Sequence, residues 1–97
     1  MAHSSRPSAS LKAVQAYLEE EFPGQVEVSI ENVIKVSHHG ARHHVTLQTE
    51  FLKACPNCAK AIRESDLVDY IREVRSQSRR FTVMWHERAM RIRSGPA

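Results

Sequence analysis

Two stretches of alternating apolar and polar residues, with one glycine between them, constrain the fold of this 97-residue chain more than any other feature. Apolar side chains occupy even positions before the glycine, from Val26 to Val36, and odd positions after it, at Val45 and Leu47. Alternation with a period of two is typical of a strand with one buried face. The change from even to odd positions predicts an antiparallel β-ribbon whose two strands bury the same face.

The glycine also predicts the register of this ribbon. A two-residue turn at Gly40 and Ala41 pairs Val36 with Val45, and glycine at the first central position suits a type II′ turn. Before the turn, the apolar residues keep even positions on both sides of Asn32, which predicts one long strand over residues 26–36 that bends near Asn32. Two shorter strands that meet at the bend are the alternative.

Helical patterns occur on both sides of the ribbon. A first helix is capped by Ser8 or Ser10 and ends near Glu21, ahead of a Pro-Gly pair that cannot continue it. A short helix over residues 55–63 begins around a proline, and a longer one starts after residue 65 or 66. The last strand alternates at Phe81, Val83 and Trp85.

These elements follow one another in the order α-β-β-α-α-β. We therefore expect an α+β two-layer sandwich, with an antiparallel sheet of three to four strands and the helices on one face. Residues 9–93 form the single domain, residues 1–8 a disordered tail, and residues 94–97 a frayed end.

In topology, this order resembles the type II KH and BolA-like architectures. KH modules bind single-stranded nucleic acid through a Gly-x-x-Gly loop between their two middle helices. The corresponding bend here reads Arg63-Glu64-Ser65-Asp66 and has no glycine. The resemblance therefore implies a fold and no activity.

The charge distribution suggests an acidic partner. The net charge is +3, and most of the excess is arginine in the C-terminal half. We expect a small non-enzymatic binding module that docks an acidic protein or single-stranded nucleic acid through this half. The predicted contact residues are Arg72, Arg75, Arg79, Arg80, Arg88 and Arg91. Homodimerisation along an exposed sheet edge is an alternative mode of association.

A second hypothesis rests on histidines and cysteines. Residues 38–58 hold four histidines and both cysteines, and the cysteines form a Cys-x-x-Cys pair. Imidazole and thiolate are preferred zinc ligands, and a Cys-x-x-Cys pair at the start of a helix can be a redox dithiol. The predicted register sets His38 directly opposite His43, which gives Cys55, Cys58, His38 and His43 as candidate zinc ligands. The alternative function is therefore a zinc-binding or thiol-redox module.

Compartment and membrane contact follow from composition. The longest apolar run is far shorter than the roughly 18 residues that cross a bilayer, and no secretory signal precedes the domain. Two cysteines without such a signal indicate a reducing environment. We therefore expect a cytoplasmic protein with free thiols and no membrane partner.

Overall fold

The computed structural model describes residues 9–28, 31–74 and 77–96. In chain order its elements are α1 Ala9–Glu21, β1 Val26–Val28, β2 Val33–His38, β3 Ala41–Leu47, α2 Thr49–Ala54, α3 Cys58–Glu64, α4 Leu67–Glu73, β4 Arg79–His86 and β5 Ala89–Pro96. The predicted tail at residues 1–8 lies outside the described residues. Strand β5 extends to Pro96, three residues past the predicted end of the domain.

The α+β class is confirmed, but the sheet differs from the expected one. It has five strands in the order β1-β2-β3-β4-β5, and the element order is α-β-β-β-α-α-α-β-β. Strands β3 and β4 are parallel, while every other neighbouring pair is antiparallel. Helices α2, α3 and α4 lie between β3 and β4 in the chain, and such a crossover is what a parallel pair requires.

The region predicted as one long bent strand forms two strands. Strands β1 and β2 are joined by a reversal at Glu31 and Asn32, which have φ angles of 57° and 63°. Their register pairs Val28 with Ile34, so even positions face even positions. When even-numbered residues of two strands pair with each other, their apolar side chains lie on one face of the sheet, as they would along a single continuous strand. The alternation therefore could not distinguish the two arrangements.

The β2–β3 ribbon forms, but its register is shifted by two residues. The turn residues are His39 and Gly40, with φ angles of 50° and 78°, and His38 pairs with Ala41 rather than with His43. Positive φ at both central positions defines a type I′ turn, whose twist matches that of the strands. A shift of two preserves the buried face. The observed pairs are Val36 with His43 and Ile34 with Val45, instead of Val36 with Val45 and Ile34 with Leu47.

One helix was not expected from the sequence. Phe51 lies at an odd position, as do the strand residues Val45 and Leu47. The structure ends β3 at Leu47 and begins α2 at Thr49, so Phe51 packs from a helix. A single apolar residue at the right parity is compatible with both kinds of element.

The core lies between the helices and one face of the sheet. Each helix of the described residues contributes fully buried side chains to a single cluster, among them Leu18, Phe51, Ile62 and Ile71. Strands β2, β3 and β4 contribute alternate residues to the same cluster. Among the described residues, no helix has the length and apolar character needed to cross a membrane.

Candidate functional site

The sheet has two different faces because side chains alternate along every strand. One face packs against the helices and holds buried residues such as Ile34, Val45 and Phe81. The other side, here termed the open face, consists of the odd-numbered residues of β1, β2 and β5 and the even-numbered residues of β3 and β4. Every residue of the open face is half-buried or exposed. A partner could therefore reach its side chains.

The open face is strongly basic. The strand pairing sets His44 beside both Lys35 and Arg80, and it sets Arg93 opposite Thr82. Among the described residues, the one acidic side chain on this face is Glu27, which lies on the edge strand β1. The basic side chains of the face are Lys35, Arg42, Arg80, Arg91 and Arg93, and none of them forms an ion pair with a described residue. Cations gathered without counter-charges create a positive potential.

His44 occupies the centre of this basic group. Its pKa is lowered, first by burial and then by the positive charges of Lys35, Arg80 and Arg42. The side chain is half-buried, and its Nδ1 atom has no hydrogen-bond partner among the described residues. Because the pKa lies below the ordinary histidine value, the ring is neutral at neutral pH. It provides a flat uncharged surface between cations.

The six arginines predicted as contact residues do not form one surface. Arg80 and Arg91 lie on the open face. Arg72 lies on α4, where it pairs with Glu21 of α1 at 2.8 Å. Arg79 alternates to the helix-facing side, Arg88 is in the β4–β5 turn, and Arg75 lies outside the described residues. The structure thus brings two of the six together.

The remaining cations of the open face come from elsewhere in the chain. Lys35 and Arg42 belong to the N-terminal half and were not among the predicted contacts, and neither was Arg93. The signal that could have found them is the alternation itself. It places Lys35 and Arg42 on the polar side of the same ribbon, because Lys35 is odd on β2 and Arg42 is even on β3.

The helical side of the molecule carries the opposite charge balance. Residues 9–21 and 48–74 hold eight Asp and Glu residues against five Lys and Arg residues. Two of those basic residues are engaged with α1, since Arg63 pairs with Glu20 at 3.4 Å and Arg72 with Glu21. Charge therefore segregates by face of the fold rather than by half of the chain.

The histidines proposed as zinc ligands lie on the helix-facing side of the ribbon. His43 is fully buried, and its Nδ1 accepts the backbone N–H of Arg79 at 3.3 Å. His38 packs edge-on against Phe22, with ring centroids 5.2 Å apart. One of the two nitrogens of His43 is thus already used within the fold.

The two cysteines lie in the core, and they follow β3 and α2 in the chain. Cys55 caps the carboxyl end of α2 and does not begin a helix. Cys58, the second cysteine of the pair, is the first residue of α3. Strand β3 alone spans about 20 Å from the ribbon tip to its far end. In the part of the chain that the structure describes, no three His, Cys, Asp or Glu residues are grouped to hold a metal ion. Zinc binding stays a prediction, which metal analysis of untagged protein would test.

The environment of Cys58 suits packing better than redox chemistry. Burial raises the pKa of the Cys58 thiol; a hydrogen bond with Ser10 opposes this shift, and the nearby Cys55 adds to it. Its Sγ lies 3.5 Å from the carbonyl oxygen of Cys55 and 3.9 Å from that of Phe51. A reactive cysteine needs a lowered pKa and access to solvent. Thiol-redox function also stays a prediction, and these contacts do not favour it.

We expect His43 to make the fold less stable in acid. Burial lowers the pKa of His43 below its ordinary value of 6.5, so the unfolded chain takes up a proton before the folded chain does. The free energy of unfolding should therefore be highest above pH 6.5 and should fall as the pH drops toward the lowered pKa. Urea unfolding at a series of pH values measures this slope.

Replacing His43 by asparagine should flatten the pH slope, because one of the groups that link protonation to unfolding is removed. His44 also has a lowered pKa, so part of the slope should remain. His39→Asn is the matched control, since His39 is exposed in a turn with positive φ, which asparagine tolerates. An unchanged slope in the His43 variant would contradict the expectation.

The two edges of the sheet bear on self-association. Strand β1 has three residues, whereas β5 has eight and leaves one side unpaired among the described residues. Arg91 and Arg93 alternate along β5, and charged residues on an edge strand oppose edge-to-edge pairing. Homodimerisation along an edge stays a prediction that these arginines do not favour.

Comparison of the chain with protein-family models, curated proteins and solved structures gave no match. The functional inference therefore depends on the geometry and charge of the open face.

Proposed function

We propose that this chain is a small non-enzymatic binding module that docks an acidic partner on the open face of its sheet. The observation that carries this function is that the described part of one accessible surface holds five basic side chains and a single acidic residue, which lies at its edge. The partner is the one expected from the sequence. Its contact surface, however, draws on both halves of the chain.

The physical support is electrostatic. Like charges held on one surface repel each other, and an anionic partner removes that repulsion when it binds. Complementary charge also speeds encounter and orients the partner. The acidic helical side repels the same partner, so docking is directed to one face.

Binding of the full chain to two labelled polyanions tests this function. We expect polyglutamate, a single-stranded oligonucleotide, or both to bind in fluorescence anisotropy at about 50 mM salt, and binding should weaken as salt rises. The double variant Arg91→Glu, Arg93→Glu should weaken binding about tenfold or more, because two attractive charges become repulsive. Both side chains are exposed, so the fold should tolerate the change.

The matched control is Lys53→Glu, Lys60→Glu. It changes the net charge by the same amount, but on exposed positions of α2 and α3. We expect this variant to bind within about twofold of the unaltered chain, since its charges lie away from the open face. If neither polyanion binds at low salt, or if both double variants lose binding equally, the open face is not the docking surface.

A further inference from the structure

We propose that the acidic partner is single-stranded nucleic acid, which lies across the open face with its phosphates on the arginines and a base on His44. This inference rests on the proposed function and names the class of partner. Four features of the open face support it. The first two favour an extended chain of oxyanions, and the last two favour a single strand over an acidic protein or a duplex.

The first feature is the kind of cation. Four of the five basic residues on the open face are arginines, namely Arg42, Arg80, Arg91 and Arg93. The planar guanidinium group offers paired donors that match the oxygens of a phosphate, whereas lysine presents a point charge. A carboxylate accepts the same paired donors, so this feature indicates only that the partner bears oxyanions. The next three features indicate which kind of molecule bears them.

The second feature is the spread of the charges. Arg91 and Arg93 lie two residues apart on one strand, which is about 7 Å. Lys35 and Arg80 lie on either side of β3, so about 10 Å separates their strands. Cations distributed across four neighbouring strands suit an extended polyanion better than a single anionic group.

The third feature is the absence of a large apolar anchor. Protein interfaces concentrate their binding energy in a few side chains near the centre of the contact, and the large apolar ones among them are mostly Trp and Tyr. The described residues of the open face include no Phe, Tyr, Trp, Leu or Ile. The uncharged side chains near its centre are Thr46, Thr82, Met84 and His44. The hydroxyl groups of Thr46 and Thr82 can hydrogen-bond to sugars and bases. None of the four is a Phe, Tyr or Trp side chain that could fill a pocket on a partner protein.

The fourth feature is the flat surface around His44. Imidazole rings and guanidinium planes stack on unpaired bases, and the lowered pKa of His44 keeps its ring neutral. A duplex keeps its bases stacked on each other and presents them only in grooves, which proteins enter with a helix or a ribbon. The open face presents the broad side of a five-stranded sheet instead. Only a single strand can use such a surface through its bases.

A comparison of four probes tests this inference on the full chain. The probes are labelled single-stranded DNA and RNA of about twelve nucleotides, the DNA sequence as a duplex, and polyglutamate of matched charge. At about 0.1 M salt we expect at least one single strand to bind about tenfold more tightly than both the duplex and polyglutamate. Equal or tighter binding of polyglutamate or of the duplex would overturn the choice of partner. The proposed function would still stand if the Arg91, Arg93 variant lost that binding.

The salt dependence gives a second measurement. For single strands, the slope of log K against log salt is about −0.7 for each phosphate contact. Losing the contacts of Arg91 and Arg93 should therefore make the slope shallower by about 1.4. The neutral variant Arg91→Gln, Arg93→Gln serves if the glutamate variant does not fold, as judged by circular dichroism. An unchanged slope in a folded variant would show that these arginines do not contact phosphates.

His44→Ala separates stacking from charge. The substitution removes the flat ring and leaves all five cations in place. We expect it to weaken single-strand binding by about tenfold, the effect of losing one stacked base, and to leave polyglutamate binding unchanged. Equal losses for both probes would indicate a structural role for His44 and would overturn its role as a stacking surface.

Discussion

Replacing Phe51 by alanine is expected to lower the free energy of unfolding by about 3–5 kcal/mol. Phe51 is fully buried, and it is the one buried residue among the six of α2, all of which the structure describes. Its loss removes a large apolar contact and leaves a cavity beside Cys55 and Cys58, which belong to the same cluster. A domain of this size has a total stability of about 5–15 kcal/mol, so the loss is a large fraction of it.

Urea unfolding followed by circular dichroism measures this effect. Leu52→Ala is the matched control, because Leu52 follows Phe51 on the same helix and is half-buried. We expect the control to cost about 1 kcal/mol, since less apolar area leaves the core. Comparable losses in the two variants would show that α2 is not fixed to the core through Phe51.

Replacing Ile71 by alanine is expected to lower the free energy of unfolding by about 2–4 kcal/mol. Ile71 is fully buried on α4, together with Leu67 and Val68. Helix α4 has seven residues and would be unstable in isolation, so its position depends on this buried side. Truncating Ile71 should therefore loosen the helix as well as leave a cavity.

The control for Ile71 is Glu73→Ala on the same helix. Glu73 is exposed, so we expect a change within about 0.5 kcal/mol. Tyr70 on the same helix is 39% exposed, whereas Val68 is buried. A small effect at Ile71 would mean that α4 does not pack on the sheet in this orientation.

Much of the fold could be predicted from local patterns. The bounds of α1 and α4 follow from the apolar period and from Pro23, and they agree closely with the structure. The buried face of every strand was also predictable, since residues such as Ile34, Val45 and Phe81 all lie at the expected parity. These features depend on neighbours in the sequence, which a short window contains.

The pairing registers of the strands were less predictable than their buried faces. In the β2–β3 hairpin the observed pairing is two residues away from the expected pairing, and the turn lies at His39-Gly40. The β4–β5 hairpin turns at Glu87-Arg88. A shift of two leaves every side chain on the same face, so the apolar pattern does not distinguish the two registers. The residues of the turn would have to distinguish the two registers. Glu87 and Arg88 give no such signal, because side chains like theirs are uncommon at positive φ.

The candidate binding surface was predicted only in part. The sequence predicted an acidic partner and a basic C-terminal region, but it grouped arginines by their position in the chain. The structure divides Arg79 from Arg80 because neighbouring residues on a strand point to opposite faces. Arg72 is likewise removed from the group by its ion pair with Glu21.

The sequence by itself determined the α+β class and which side chains of each strand are buried, because both follow from periodicities of two and 3.6 residues within single elements. Only the tertiary structure decided which strands became neighbours. The parallel pairing of β3 with β4 joins His44 to Arg80, residues 36 positions apart, and it gathers Lys35 and Arg42 with the arginines of β4 and β5. That pairing depends on how three intervening helices pack, and such long-range packing is not encoded in any local pattern.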